Sequence, residues 1–415
     1  MNSRRVVVTG MGVITCAGPS LDSLWEVCMI GKSPIRKVTK FDTTWLDASC
    51  AGEIDFDPDA FFSHRQKQRL DRFSQLAHIA AGQAIADTRL DFSSKEPREN
   101  SGVCLGTALG GISSAEEEHS EFQLTQQSPR SINPFLAIQI YGGSSTCNLA
   151  QEFGLQGVNN CYSQSCASGT IALGEAFRYI KRGETDMILA GGAEAPLCPM
   201  TFTAFANIKT MTRSQDYAAA YRPFDKDRDG FVMGEGAAIL VLEELDHALK
   251  RGAPIVGEIS GYGLTCDAYH MTSPLPNGSQ AVRAIKGALK EAGMGPDEIE
   301  YINAHASGTI VNDRTETEIL KQVFGNRATC PPVSGTKPFH AHPLGATGAI
   351  EAALVLKAMG EKMVPPTINL EVPGEGCDLD YIPLVPRPLN FRTALSNSFG
   401  FGGVNASLVL KEYRL

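Results

Sequence analysis

Short runs of β-branched and apolar residues recur along the whole chain, and longer amphipathic stretches stand between them. The runs are Arg5–Thr9, Ser101–Leu105, Met187–Ala190, Ala237–Leu242, Ile255–Gly261, Tyr301–Ala304, Thr393–Ser398 and Ser407–Leu410. Each is too short for a helix and too apolar for a surface strand, which predicts strands buried on both faces. The stretches Arg69–Asp87, Gly169–Arg182, Gln280–Ala292 and Ala346–Met359 carry their apolar positions at helical spacing. Strands alternating with helices predict an α/β architecture, a sheet covered by helices on both sides. The helical stretch Leu245–Lys250 runs into the stop signal Arg251-Gly252-Ala253-Pro254, which divides the chain into residues 1–252 and 253–415. The two parts echo each other. Arg5–Thr15 (RVVVTGMGVIT) and Ile255–Thr265 (IVGEISGYGLT) both read as a strand entering a Gly-x-Gly turn.

Composition removes several classes of function. Of 415 residues, 43% are hydrophobic, which is ample for a large core and too much for a disordered chain. The net charge of −9 has the wrong sign for a global nucleic-acid binder. No segment approaches the ~20 unbroken apolar residues that a bilayer span needs. Arg4 and Arg5 ahead of an apolar run imitate a secretion signal, but Thr9, Gly10 and Gly12 interrupt it. Eleven scattered cysteines without a C-x-x-C pair read mostly as buried thiols, and the expected compartment is the reducing cytoplasm.

Three motifs invite other readings. Gly10-Met11-Gly12 suggests dinucleotide binding, but Thr15 stands where the third glycine belongs. Asp225-Lys226-Asp227-Arg228-Asp229-Gly230 resembles a calcium loop, yet Gly236 occupies the position of the bidentate acid, which favours a turn stabilised by aspartates. His340-Ala341-His342 would put two metal ligands on one strand face. With His305 or Asp313 as a third ligand, it supports an alternative reading as a metal-dependent hydrolase.

The strongest local signal is Gln164-Ser165-Cys166-Ala167-Ser168-Gly169-Thr170, directly ahead of a helical stretch. A cysteine at a helix N-terminus meets unpaired amides and the positive end of the macrodipole, which favours a thiolate. Small residues after it leave room for a substrate carbonyl. Tyr301–Ala304 leads to His305 and the hydroxyl-rich turn Ala306-Ser307-Gly308-Thr309, and Ser334–Phe339 leads to His340 and His342. One cysteine and two histidines beside Gly/Ser/Thr-rich turns suit covalent catalysis on a carbonyl.

These segments carry a resemblance. VVVTGMGVIT, SCASG, RPFDKDRDGFVMGEGAAILVLEEL, DAYHMTSP, NAHASGT, GTKPFHAHPLGATGAIEA, CDLDYIP and SNSFGFGGVNASLVL together resemble a β-ketoacyl-[acyl-carrier-protein] synthase, nearest the synthase II group of condensing enzymes. The match spans essentially the whole chain. It implies a thiolase-like α-β-α-β-α sandwich of two similar halves, an acyl carrier protein as partner, and a homodimer or a heterodimer with a chain-length-factor-like subunit. It implies no nucleic acid, membrane, metal or separate cofactor, because substrates ride on the carrier's phosphopantetheine arm. By motif, Cys166 resembles the acylated nucleophile, and His305 and His342 the histidine pair that polarises the malonyl thioester. Lys337 resembles the lysine supporting that pair, and Glu351 the anchoring glutamate. Phe401 is similar to the gate of the acyl pocket with Phe399 beside it, and the amides of Cys166 and Phe401 to the oxyanion hole. Ser307 and Thr309 resemble the contacts to the phosphopantetheine arm, and Leu109 the far wall of the acyl pocket.

The sequence departs from the family pattern where Ala306 and Ala341 replace glycines, which is expected to add methyls that narrow the site. Ser307–Thr317 looks like the ketosynthase of type II polyketide systems, whereas Asn397–Phe401 looks like the fatty-acid enzyme, and the polyketide or polyene reading is preferred. Cys166 speaks against a non-catalytic chain-length factor, and Phe399 and Phe401 stand where a biosynthetic thiolase would carry a second cysteine. Because a carrier protein is acidic, a basic patch is required for docking. Arg65, Arg69 and Arg72, spaced to share one helix face with Lys67 adjacent, are the expected patch.

Overall fold

The computed structural model of the protein describes residues 4–90 and 98–414. Ten strands form one continuous sheet: β1 (Val6–Thr15), β2 (Ser101–Gly106), β3 (Asn159–Tyr162), β4 (Met187–Glu194), β5 (Gly236–Glu244), β6 (Gly257–Cys266), β7 (Tyr301–Asn303), β8 (Val333–Ser334), β9 (Thr393–Gly400) and β10 (Val404–Lys411). Their spatial order is β8-β7-β9-β10-β6-β1-β5-β4-β2-β3. Outward from the central antiparallel pair β1 and β6, the two sides repeat. On each side the first strand lies antiparallel to the fifth and the fifth antiparallel to the fourth, while the fourth and third both run parallel to the second.

The helices repeat as well. In the first half α1 (Arg72–Thr88) follows β1, α2 (Ser144–Phe153) follows β2 and α3 (Ser168–Lys181) follows β3. In the second half α4 (Ser279–Ala292), α5 (Ile310–Phe324) and α6 (Thr347–Glu361) follow β6, β7 and β8. α3 and α6 pack against each other and against strands of both halves, whereas α1 covers the outer face of the first half and α4 that of the second. Leu173 and Phe177 of α3, Leu354 and Leu356 of α6, Leu240 of β5 and Leu408 of β10 share one buried cluster. The two five-stranded halves of the sheet therefore form two layers, each between an outer helix and the central pair α3 and α6, with the doubly buried strands that the apolar runs predicted.

The Gly-x-Gly echo has a different cause from the one expected. Gly10-Met11-Gly12 is not a turn: β1 continues through it to Thr15, with a bulge between Val8 and Gly10. A methyl on Gly10 would lie 2.1 Å from the Ala84 carbonyl oxygen, and one on Gly12 would lie 1.9 Å from that of Ala80. Gly261 and Gly263 of β6 stand at 2.1 and 1.9 Å from the carbonyl oxygens of Ala288 and Ala284. The glycines let α1 and α4 settle directly on strand backbone in equivalent places, a close approach that any side chain would block.

The helix expected over Arg69–Asp87 forms as α1, starting three residues later, but the basic residues 65 to 72 do not ride on one helix. A short helix ends at Lys67, and α1 starts afresh at Arg72, capped by Asp71, whose carboxylate accepts from Phe73 N at 2.8 Å. The expected docking face is thereby dismantled. Arg72 turns inward to the buried Glu235 at 2.7 Å and to Ile54 O at 2.6 Å, and Lys67 pairs with Asp59. The Arg69 guanidinium lies 5.0 Å from the Phe135 ring centre, which leaves Arg65 as the exposed cation of the four, the other three being half-buried. A buried carboxylate draws in a cation because an unpaired buried charge is costly, and Glu235 takes Arg72 for that reason.

The Asp225 segment is a structured turn, as expected: the carboxylate of Asp225 accepts from Asp227 N, Glu371 N and Val372 N. No helix among the described residues is long and apolar enough to cross a membrane.

Candidate active site

Each central helix is entered through a short 3-10 turn, Ser165–Ala167 before α3 and Leu344–Ala346 before α6. The pseudo-repeat of the halves brings these two helix starts face to face. Cys166 sits in the first turn, which is held by Ser168 Oγ donating to Ser165 O at 2.7 Å and accepting from Gln164 N at 2.9 Å. Ser165 takes a left-handed φ of 53°, a strained backbone that the surrounding bonds enforce. His342 stands just ahead of the second turn, and its Nε2 lies 3.1 Å from Cys166 Sγ. Its Nδ1 meets Thr347 Oγ1 at 2.9 Å, which fixes the ring's orientation.

His305 follows β7. Its ring centre lies 5.7 Å from that of His342 and 5.9 Å from that of Phe399. The peptide after it is gripped from two sides. Lys337 Nζ donates to His305 O, and the buried Glu316 accepts from His305 N at 2.7 Å and Ala306 N at 2.8 Å. Lys337 also pairs with Glu351 at 2.7 Å, both side chains fully buried. Cys166, His305, His342, Phe399 and Phe401 line one cavity of about 390 Å³, with Ser307 and Thr309 farther along its wall. Ser307 Oγ and Thr309 Oγ1 are 3.1 Å apart. Phe401 stacks on Phe205 with ring centres 6.4 Å apart, and a methyl on Gly400 would fall 3.3 Å from Cys166 N. Leu109 is not in the cavity wall; it packs on an apolar cluster that includes Cys166, Phe202 and Leu344.

Burial decides the protonation states. It pushes the Cys166 thiol up despite opposing pulls from Ser165, Lys337 and the Phe401 amide, so the helix start does not yield the thiolate expected from sequence. Burial, followed by the charge of Lys337, holds both His305 and His342 well below the usual histidine range. The resting site is a neutral thiol beside two neutral imidazoles.

Two further expectations change. His340 and His342 do not share a strand face, because Ala341 between them has a left-handed φ of 56°. His340 Nε2 meets Thr336 Oγ1 at 3.3 Å, and among the described residues no group of three or more His, Cys, Asp or Glu is placed to hold a metal ion. The methyls of Ala306 and Ala341 do not line the cavity. Ala341 Cβ lies 2.6 Å from the place a Gly52 methyl would take and 2.8 Å from that of Gly234; Ala306 Cβ faces Gly335 in the same way, at 2.7 Å. Each added methyl is offset by a glycine behind it.

Residues 3–248 match the family described as Beta-ketoacyl synthase, N-terminal domain, and residues 256–371 match Beta-ketoacyl synthase, C-terminal domain. The chain belongs to the β-ketoacyl synthase family. It is thus an acyltransferase of the condensing kind, one that forms carbon–carbon bonds, on a thiolase-like fold. It is 44% identical to the 3-oxoacyl-[acyl-carrier-protein] synthase 2 of Synechocystis sp., over 100% of this chain and 99% of that protein. Among solved structures it is similar to a type II PKS ketosynthase bound to a hexaketide and in complex with its acyl-carrier protein, at 32% identity and TM-score 0.91. It is also similar to the ishigamide ketosynthase/chain length factor, at 34% identity and TM-score 0.92. Both comparisons cover 99% of this chain and 100% of the other.

Sequence reading missed three supports of this β-ketoacyl synthase site: Thr347 behind His342, Glu316 behind His305, and Phe205 against Phe401. Helical spacing held a signal for the first, since Thr347 and Glu351 are one turn apart on α6 and serve His342 and Lys337 respectively. Glu316 lies three residues after the buried Asp313 on α5, so both carboxylates share a face.

His340 offers a stability test. Burial, with Lys337 nearby, pushes its imidazole down to about 3. Below the unfolded value near 6.5, the unfolded chain binds a proton that the folded one refuses, so this group lowers stability as pH falls. His340→Gln keeps a donor toward Thr336 but cannot titrate. The slope of unfolding free energy on pH between about pH 6 and pH 4 is expected to flatten by about 1.4 kcal/mol per unit. Denaturant melts across that range measure it, and an unchanged slope would refute the assignment.

Proposed function

We propose that the protein performs a decarboxylative Claisen condensation of malonyl-carrier protein with an acyl chain held as a thioester on Cys166, in type II polyketide or polyene biosynthesis. The observation that carries the chemistry is the 3.1 Å approach of His342 Nε2 to Cys166 Sγ in a cavity shared with His305. As the sulfur attacks an incoming thioester, His342 takes the thiol proton and returns it to the departing phosphopantetheine sulfur. Thioester exchange is nearly isoenergetic, so loading needs no energy source and the reaction no cofactor of its own. The amides of Cys166 and Phe401 receive the tetrahedral oxyanion. A malonyl thioester then enters past Ser307 and Thr309 and loses carbon dioxide. The electron pair left behind becomes an enolate, whose oxygen accepts hydrogen bonds from the His305 N–H and from His342 Nε2–H, the latter in the tautomer whose Nδ1 accepts from Thr347 Oγ1. Its carbon attacks the Cys166 thioester carbonyl, a carbon–carbon bond forms, and the sulfur leaves as a thiolate that takes up one proton from water, the same proton count that loss of carbon dioxide from the malonyl carboxylate requires. Neutral imidazoles suit this role, and burial together with Lys337 keeps them neutral.

The polyketide reading rests on the run Ser307–Thr317 and on the likeness to ketosynthases solved with a carrier protein or a chain length factor. The partners proposed here are accordingly an acyl carrier protein and either a second copy of this chain or a chain-length-factor-like subunit. The β-repeat also supports a division of the chain between Gly252 and Ala253. A fatty-acid role is the second reading, favoured by the 44% identity to a 3-oxoacyl-[acyl-carrier-protein] synthase 2. Intact-mass measurement of Cys166 loading from carrier-bound β-ketoacyl or polyenoyl chains against saturated chains of equal length separates the two. Preference for the keto or polyene chain is expected; preference for the saturated one would move the enzyme to the fatty-acid pathway.

A further inference from the structure

Glu194 ends β4, is completely buried, and forms no ion pair among the described residues. Its carboxylate instead gathers donors from both halves of the chain. Oε1 accepts from Thr107 Oγ1 at 3.0 Å and Leu109 N at 3.1 Å, and Oε2 accepts from Ala108 N at 2.5 Å and Gly345 N at 3.0 Å. The backbones around it touch with nothing between them. A methyl on Gly345 would lie 2.4 Å from Ala108 N, one on Gly106 2.2 Å from Ser168 C, and one on Gly169 2.8 Å from Gly345 O. At this glycine junction, where the start of α3 meets the turn before α6, Glu194 is the side chain that ties the Thr107–Leu109 loop to the Leu344–Ala346 turn.

Both tied segments carry apolar side chains to the region behind the nucleophile. Leu109 and Leu344 belong to the cluster that also holds Cys166 and Phe202. The cavity wall also carries Ser307, Thr309, Asn312 and Asn405, polar groups suited to a polar arm, beside the apolar Ile310 and Val311. On the proposed reading of the site, an acyl group on Cys166 extends into this apolar cluster toward Leu109 and Leu344, and the room it finds depends on where these two are held.

We propose that Glu194 is a specificity-determining positioning residue: by holding Leu109 and Leu344 behind the sulfur, it sets the length of acyl chain that Cys166 accepts. This rests on the condensing reading of the site. In Glu194→Gln an amide nitrogen replaces one carboxylate oxygen and confronts two donors where it previously met none. Either the Leu109 N–H, with Thr107 turning its hydroxyl to accept, or the Ala108 and Gly345 N–H groups then lose their acceptor, and the packing behind Cys166 loosens.

The test is the rate of Cys166 acylation by acetyl, octanoyl and dodecanoyl phosphopantetheine thioesters, followed by intact mass on the full chain. For Glu194→Gln the dodecanoyl-to-acetyl rate ratio is expected to rise about tenfold over the native protein, the effect of one buried donor left without its acceptor. Thr107→Val breaks the same contact from the other end and is expected to shift the ratio the same way by a smaller factor, which keeps the test available if the first variant does not fold. A ratio within about twofold of native in the folded variants, whether all rates persist or all fall together, would make Glu194 merely structural. Absence of acylation in the native protein would instead remove the condensing reading, and this proposal with it.

Discussion

Cys166→Ala is expected to yield a folded protein that gains no mass from any acyl thioester, with condensation lowered by at least about 10⁴-fold. The sulfur is the atom that bonds the chain, and no other group in the cavity wall offers a nucleophile at 3.1 Å from a neutral imidazole. The packing change is small, since one buried sulfur is removed, so unfolding free energy is expected to stay within about 1 kcal/mol of native. Decarboxylation of malonyl thioester needs the two imidazoles and not the sulfur, and it is expected to persist. Continued acyl loading in this variant would place the nucleophile elsewhere and end the proposed mechanism.

His305→Ala separates the other half of the reaction. Acyl loading uses Cys166, His342 and the backbone amides, and is expected to continue near the native rate. Condensation loses one hydrogen-bond donor to the enolate oxygen and is expected to fall by about 10²–10³-fold in kcat, with the acyl-enzyme accumulating. The surrounding grip survives the substitution, because Lys337 and Glu316 hold the backbone of residues 305 and 306 and not the ring. Stopped reactions analysed by intact mass measure loading, and product appearance measures condensation. Equal loss of both rates would show that His305 maintains structure instead of stabilising the enolate.

Much of this was legible before any coordinate. Doubly buried strands announce themselves as unbroken apolar runs, so the α/β class follows from local chemistry; a cysteine followed by Ala-Ser-Gly reads as an open helix start, and the roles of Cys166, His305 and His342 are what the family resemblance implies. The Gly-x-Gly echo was visible too, although its meaning was not. A glycine looks the same whether it turns the chain or admits a neighbouring backbone, and only the 2 Å-scale approach of α1 and α4 distinguishes the two uses. The cations at 65, 67, 69 and 72 failed for a related reason. Spacing says which residues would share a helix face if the helix were continuous, but not that Asp71 starts a new one or that Glu235, far away in sequence, claims Arg72.

Residue order and type alone therefore determined which segments are strands and which are helices, and which thiol and imidazole groups are available for chemistry on a carbonyl. Tertiary structure decided how those atoms behave. It set two helix starts from different halves against each other so that sulfur and imidazole meet, turned the Ala306 and Ala341 methyls onto glycines and out of the cavity, and buried the thiol deeply enough that desolvation outweighs the helix dipole. Distance and dielectric are properties of what surrounds a group, and a linear chain does not carry them until it has folded.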